Sequence, residues 1–190
     1  MSDHSARVTL LERDSVTTEA AQLYDALLAQ RGVVPNMFKV LAHHPGIAQG
    51  VAGFLKPLLS DGALSGAYKE LVAVRISILN QSEYATRAHA ASAKKKGATD
   101  EQIAGVKDFE KGPYAEKEKM GFRLADKLHR GACEVDDKFY AELRNSFSEK
   151  ETIELFLTAA AFEMFPRFID GLHIPVTQLP AEANTKPIAT

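Results

Sequence analysis

The sequence predicts an all-α protein, and three observations carry that reading. Apolar residues recur at spacings of three and four along most of the chain, while alternating runs are short and few. Ser65, Ser82 and Thr99 stand where amphipathic stretches begin, and Gly32 and Gly97 stand where such stretches end. The 190 residues are 45% hydrophobic and 25% charged, a globular balance. A chain of this length buries roughly 70% of its unfolded surface and needs no metal or disulfide staple to fold.

Residues 15–31 form the first expected helix, with Ala20, Leu23, Tyr24, Leu27 and Leu28 on one stripe and Gly32 after it. Val34-Pro35-Asn36 is a turn, followed by a short helix through Leu41 that ends at His43-His44-Pro45-Gly46. A third helix covers about 47–60 and stops near Asp61-Gly62. Ser65 caps a helix over 66–79, with Ala67, Leu71, Val74 and Ile78 as its buried stripe. Asn80 and Gln81 break it, Ser82 caps the next helix over 83–96, and Gly97 closes that one. Thr99 starts a short helix that ends near Val106, and Lys111-Gly112-Pro113 is a loop. Helices over 114–130, 136–145 and 148–172 follow, the last kinked or broken at Pro166. The expected organisation is a single domain over 1–178, with helical blocks at 15–60 and 65–175 and an extended or frayed tail over 179–190.

Charge and composition exclude several classes of function. Lys plus Arg (23) nearly balances Asp plus Glu (25), so the basic excess of a nucleic-acid binder is missing. The cationic cluster Lys94-Lys95-Lys96 reads as a last helical turn that complements the helix dipole. No apolar run approaches the roughly 20 residues of a membrane helix, and Met1-Ser2-Asp3-His4 does not begin a signal peptide. One cysteine, Cys133, permits no disulfide within the chain and suits a reducing compartment, so the expected location is cytoplasmic.

Chemistry concentrates in 69–89. On one helix Ser82, Ala85 and His89 share a face, which places a hydroxyl, a methyl and an imidazole together. Glu70, on the preceding helix, comes within reach of His89 if the connection at 80–81 lays the two helices antiparallel. A carboxylate on an imidazole is how a general base is commonly oriented. Glu83 is six residues from His89, about 120° round the helix, and is better placed to pair with Arg87. Ser82 reads first as an N-cap, and Tyr84 as packing. His43, His44 and His129 read as helix-end histidines, and Phe162, Met164, Phe165 and Phe168 as core or subunit contact. The histidines show no zinc-ligand spacing such as His-Glu-x-x-His, so no metal is expected.

These residues resemble the alkyl hydroperoxidase D-like and carboxymuconolactone decarboxylase superfamily. Its redox members carry Glu, then after eleven residues Cys-x-x-Cys, then three more and His. Glu70, Ser82, Ala85 and His89 fall on that spacing without a gap. Val34-Pro35-Asn36-Met37-Phe38 and Leu41-Ala42-His43-His44-Pro45 are similar to the N-terminal part of the peroxidase-related members, and 97–103 to the short helix after the motif. The resemblance spans about 20–175 and implies a helical bundle of the alkyl hydroperoxidase D-like type, assembled as a homo-oligomer (dimer, trimer or hexamer).

Both redox cysteines are absent, since position 82 is Ser and position 85 is Ala. Neither side chain attacks a peroxide and then closes a disulfide. The cysteine-less branch instead implies acid/base chemistry without a cofactor, decarboxylation or isomerisation of a small carbonyl, lactone or carboxylate. A Glu shortly before the His is typical of that branch, and Glu83 matches it. His89 is then the acid/base, Glu70 its orienting carboxylate and Glu83 a second group. The alternatives are a peroxidase scaffold whose cysteine pair was lost or replaced, and a non-catalytic small-molecule binder.

Overall fold

The computed structural model describes residues 5–178. The N-terminal tetrapeptide and the expected tail over 179–190 lie outside the described residues. Among the described residues there are nine α-helices and no strand: α1 Thr18–Arg31, α2 Asn36–Leu41, α3 Pro45–Leu59, α4 Gly66–Leu79, α5 Glu83–Lys95, α6 Asp100–Gly105, α7 Glu116–Arg130, α8 Asp137–Ser146 and α9 Glu149–Gly171. None of these helices is long and apolar enough to cross a membrane.

The chain groups into two compact units, Met1–Lys56 with Phe168–Thr190, and Pro57–Arg167. In the first, Ala20, Tyr24 and Ala42 form a small core with Leu11, Val16 and Val34 against it. The buried Tyr24 hydroxyl donates to the Leu11 carbonyl, which lets a phenol enter that core without an unpaired polar atom. The C-terminal segment is tied to α2, where the Asn36 backbone N–H donates to Thr177 Oγ1 at 2.9 Å.

The second unit is built round α4, which packs on α5 and α7. From Tyr68 to Val74 every residue of α4 is buried, as are Ile76 and Ser77. The expected one-sided stripe therefore understates this helix: Leu71 and Val74 are buried, whereas Ala67 and Ile78 are only half-buried. A helix covered on nearly all sides has to bury Lys69 and Glu70 with it, and both need partners. Tyr68, Phe109 and Tyr114 meet Phe122 of α7 at ring-centroid distances of 5.7, 5.2 and 4.8 Å. Edge-on and tilted aromatic pairs of this kind fill the core beneath α4.

Several local expectations change. The final helix runs through Pro166 as one 23-residue element. The proline costs one backbone hydrogen bond, but buried Phe162 and Phe165 before it and Ile169 after it hold both sides in place. Leu28 is exposed rather than part of the α1 stripe, and Ala21 takes a buried position instead. Met164 is exposed, while Phe162 and Phe165 are core. His44 does not serve the end of α2: its Nδ1 accepts the Ile47 N–H and so caps the start of α3. His129 does stand in the last turn of α7, as expected, and it also meets the buried Glu163 carboxylate at 2.8 Å.

Candidate functional site

The site is assembled by two consecutive helices. Ser65 caps α4 by accepting the Tyr68 N–H, and Ser82 caps α5 by accepting the Ala85 N–H. Between them Gln81 adopts φ +56°, and the Ser82 N–H returns to the Ser77 carbonyl at 3.0 Å. This tight connection sets α5 back along α4. At its far end α5 closes with a Schellman motif, in which Gly97 (φ +102°) donates to Lys94 and Ala98 donates to Ala93.

Across the pair, His89 Nδ1 lies 2.7 Å from Glu70 Oε2. The other carboxylate oxygen, Oε1, accepts from Ser92 Oγ at 2.6 Å and from Lys96 Nζ at 2.5 Å. Lys96 Nζ also donates to the Leu59 carbonyl at the end of α3, at 2.7 Å. The Glu70 side chain is 2% exposed, His89 14% and Lys96 31%, so the network grades from the interior toward solvent. Burial by itself pushes the Glu70 carboxyl up; the His89 hydrogen bond and charge, with Lys96, outweigh it and hold the group at about 2. Glu70 is therefore an anion at neutral pH. An anionic Oε2 at this distance requires the proton on His89 Nδ1, which leaves Nε2 as the ring nitrogen for proton exchange. The ring of Phe162 on α9 meets the imidazole edge-to-face, with centroids 4.2 Å apart.

Of the residues singled out from sequence, Glu70 and His89 come together. Ser82 is 1% exposed, and its hydroxyl accepts the Ala85 N–H rather than bonding to the imidazole. Glu83 stands apart from the dyad, with a 76% exposed side chain that pairs with Arg87 at 3.4 Å. Cys133 is exposed, within a short 3₁₀ turn that follows α7.

The sequence reading missed Ser92 and Lys96, although a signal was present. Positions 82, 85 and 89 continue at the same spacing to 92 and 96, on the same face of α5. The dipole reading of Lys94-Lys95-Lys96 had absorbed Lys96; Lys94 does stay at the surface, paired with Asp100, but Lys96 turns inward to Glu70. Phe162 had no sequence signal as a partner of His89.

A groove of about 580 Å³ lies elsewhere in the same unit, lined by Arg75, Phe109, Met120, Arg123, Asp126 and Phe139 among others, and includes neither Glu70 nor His89. Its guanidinium groups are already paired, Arg75 with Asp126, Arg123 with Glu110 and Arg130 with Glu134. The oriented imidazole and the buried anion lie at the α4–α5 dyad and not in this groove.

Comparisons with known proteins bear on a segment of the sequence and on the fold. Residues 45–109, which contain Glu70, Ser82, Ala85 and His89, match the model of the carboxymuconolactone decarboxylase family. No curated protein matches the sequence significantly. Among solved structures, the fold is similar to an alkylhydroperoxidase AhpD core from Ralstonia eutropha JMP134, a peroxidase-related protein, at TM-score 0.83, 21% identity and 95% coverage of both chains. A peroxidase-related protein from Silicibacter sp. TM1040 superposes at TM-score 0.84 with 19% identity, over 96% of this chain and 97% of that one. A cysteine-to-alanine variant of the debrominase Bmp8, in complex with 2,3,4-tribromopyrrole, superposes at TM-score 0.80 with 16% identity, over 96% and 97% of the two chains. At these identities the structural likeness shows the fold, that of the alkylhydroperoxidase AhpD core, and the similarity to the carboxymuconolactone decarboxylase family lies in residues 45–109.

Proposed function

We propose that the protein is an acid/base enzyme of the cysteine-less kind, working without a cofactor on a small carbonyl, lactone or carboxylate substrate. The observation that carries the reading is the His89–Glu70 pair: Nδ1 is committed to a buried carboxylate at 2.7 Å and Nε2 is left for substrate. In this reading Nε2 takes a proton from carbon or delivers one to it, as a double bond shifts or carbon dioxide leaves. Glu70 balances the imidazolium that forms, and Phe162 presents an apolar wall beside the ring. Glu83, exposed and paired with Arg87, has no part in this chemistry.

The test is solvent deuterium incorporation in D₂O across a panel of γ-lactone carboxylates and β-keto carboxylates, with the unaltered chain beside His89→Gln. General acid/base catalysis contributes about 10²–10⁴-fold, so His89→Gln should lose at least about 10²-fold in turnover. A substrate turned over equally well by both proteins would remove His89 from the mechanism. Ligand binding without turnover in either protein would favour the non-catalytic binder.

A second reading, a peroxidase scaffold lacking its thiols, is favoured by where Ser82 and Ala85 lie. They occupy the N-cap and third position of α5 and are 1% and 3% exposed. A helix N-terminus lowers a thiol's pKa, so this location suits a thiolate. Ser82→Cys/Ala85→Cys should then consume hydroperoxide with a dithiol reductant while the unaltered chain does not. Hydroperoxide turnover by the unaltered chain would point instead to Cys133.

A further inference from the structure

We propose that Lys96, assisted by Ser92, is a positioning residue for the His89–Glu70 dyad. The two side chains occupy Glu70 Oε1, aim Oε2 at His89 Nδ1 and offset the carboxylate charge so that the imidazole can release its proton. The proposal rests on the acid/base reading of His89.

The geometry is built for this purpose. A terminal carboxylate torsion is broad and intrinsically two-fold, so an unrestrained Glu70 would share its two oxygens loosely. Donors at 2.6 and 2.5 Å on Oε1 remove that freedom. Lys96 is itself anchored, since its ammonium also holds the Leu59 carbonyl at 2.7 Å. Its stem runs beside Gly66 at the start of α4, where a Cβ would meet the Leu59 carbonyl oxygen at 2.7 Å, Asp61 Oδ1 at 3.2 Å and Lys96 Cδ at 3.3 Å. The same Leu59 carbonyl that anchors Lys96 thus lies tightly against the first turn of α4.

The electrostatic consequence follows from what faces the dyad. From α4 it is Glu70; from α5 and its cap, Ser92 and Lys96; from α3, the Leu59 carbonyl; from α9, the uncharged Phe162 ring. Lys69, next to Glu70 in sequence, is bound to Glu154 instead. Lys96 is thus the cation that balances the carboxylate. Without it, an unopposed anion would grip the imidazolium and slow proton release.

The experiment follows carboethoxylation of His89 by diethylpyrocarbonate, quantified on the His89 peptide by mass spectrometry at pH 6.5 and pH 8.5. The reagent attacks only neutral imidazole. The full chain is compared with Lys96→Met, Lys96→Gln and Lys96→Arg, each first shown to be folded by circular dichroism. At pH 6.5, Lys96→Met and Lys96→Gln should react about five-fold more slowly, because losing a part-exposed neighbouring cation favours the protonated ring by somewhat less than a decade. At pH 8.5 the difference should close, and Lys96→Arg should stay within about two-fold of the unaltered chain at both values because it keeps the charge. Equal rates at pH 6.5, or the same ratio at both pH values, would overturn the proposal and leave Lys96 a purely structural clamp. The readout needs no substrate, so it stands apart from the turnover test of His89→Gln. Should that test fail while the carboethoxylation result holds, the acid/base reading falls and the charge balance stands.

Discussion

Replacing Glu70 by Gln keeps the shape of the side chain and removes its charge, and the cost can be worked from the structure. Glu70 is 1% exposed and accepts from His89, Ser92 and Lys96. Its carboxyl lies at about 2 in the folded chain against an ordinary 4.5. That difference of about 2.5 units corresponds to roughly 3 kcal/mol of stability, since one unit is about 1.4 kcal/mol. The folded-state value is the depressed one, so the contribution is complete above about pH 4.5 and is lost as pH falls toward 2. Urea unfolding of the unaltered chain and Glu70→Gln at pH 7 and pH 3 should therefore give a gap of about 3 kcal/mol at neutrality, shrinking to less than half at pH 3. A gap of the same size at both pH values would mean that the charge of Glu70 is not what holds the network, and the reasoning about the dyad would fail with it.

Two further outcomes follow from buried groups in the same unit. Lys69 is fully buried against Glu154, which also accepts the Ala63 and Leu64 backbone N–H groups. Glu154→Gln should destabilise by about 3 kcal/mol by stranding a buried cation, whereas Lys69→Met should cost much less, and urea unfolding compares the two. The reverse order would mean that a stranded Lys69 is not the dominant cost, and the ion-pair reasoning would fail. Gly121→Ala would set a methyl onto the Tyr68 hydroxyl, which donates to the Glu118 carbonyl at 2.8 Å. A loss of about 2–3 kcal/mol in a thermal melt is expected, and a neutral result would show that α7 can move away from α4.

Much of the fold was legible because helices announce themselves locally. The starts of α4, α5 and α6 follow from Ser65, Ser82 and Thr99, whose hydroxyls each accept a first-turn N–H in the structure. The end of α5 follows from Gly97, which alone tolerates the left-handed backbone there. Of the kink or break expected at Pro166, a break does not occur, because a single lost backbone bond is a local cost and the buried aromatics beside it are a tertiary gain. The same limit applies to Lys96: its local sequence places it at a helix end, and Glu70 on another helix turns it inward.

By itself, then, the sequence determined an all-α chain, its helix boundaries to within a few residues, and the Glu70–Ser82–Ala85–His89 spacing, which lies inside the segment that matches the carboxymuconolactone decarboxylase family model. Those properties depend on periodicity, caps and intervals, which act within a few turns of one chain segment. Only the tertiary structure decided which neighbours that spacing acquires. It turned Lys96 and Ser92 onto Glu70, set Phe162 against His89 and left Glu83 in solvent. The physical reason is that a buried carboxylate must be satisfied by whatever donors the packing brings within about 3 Å, and no interval along the chain encodes that distance.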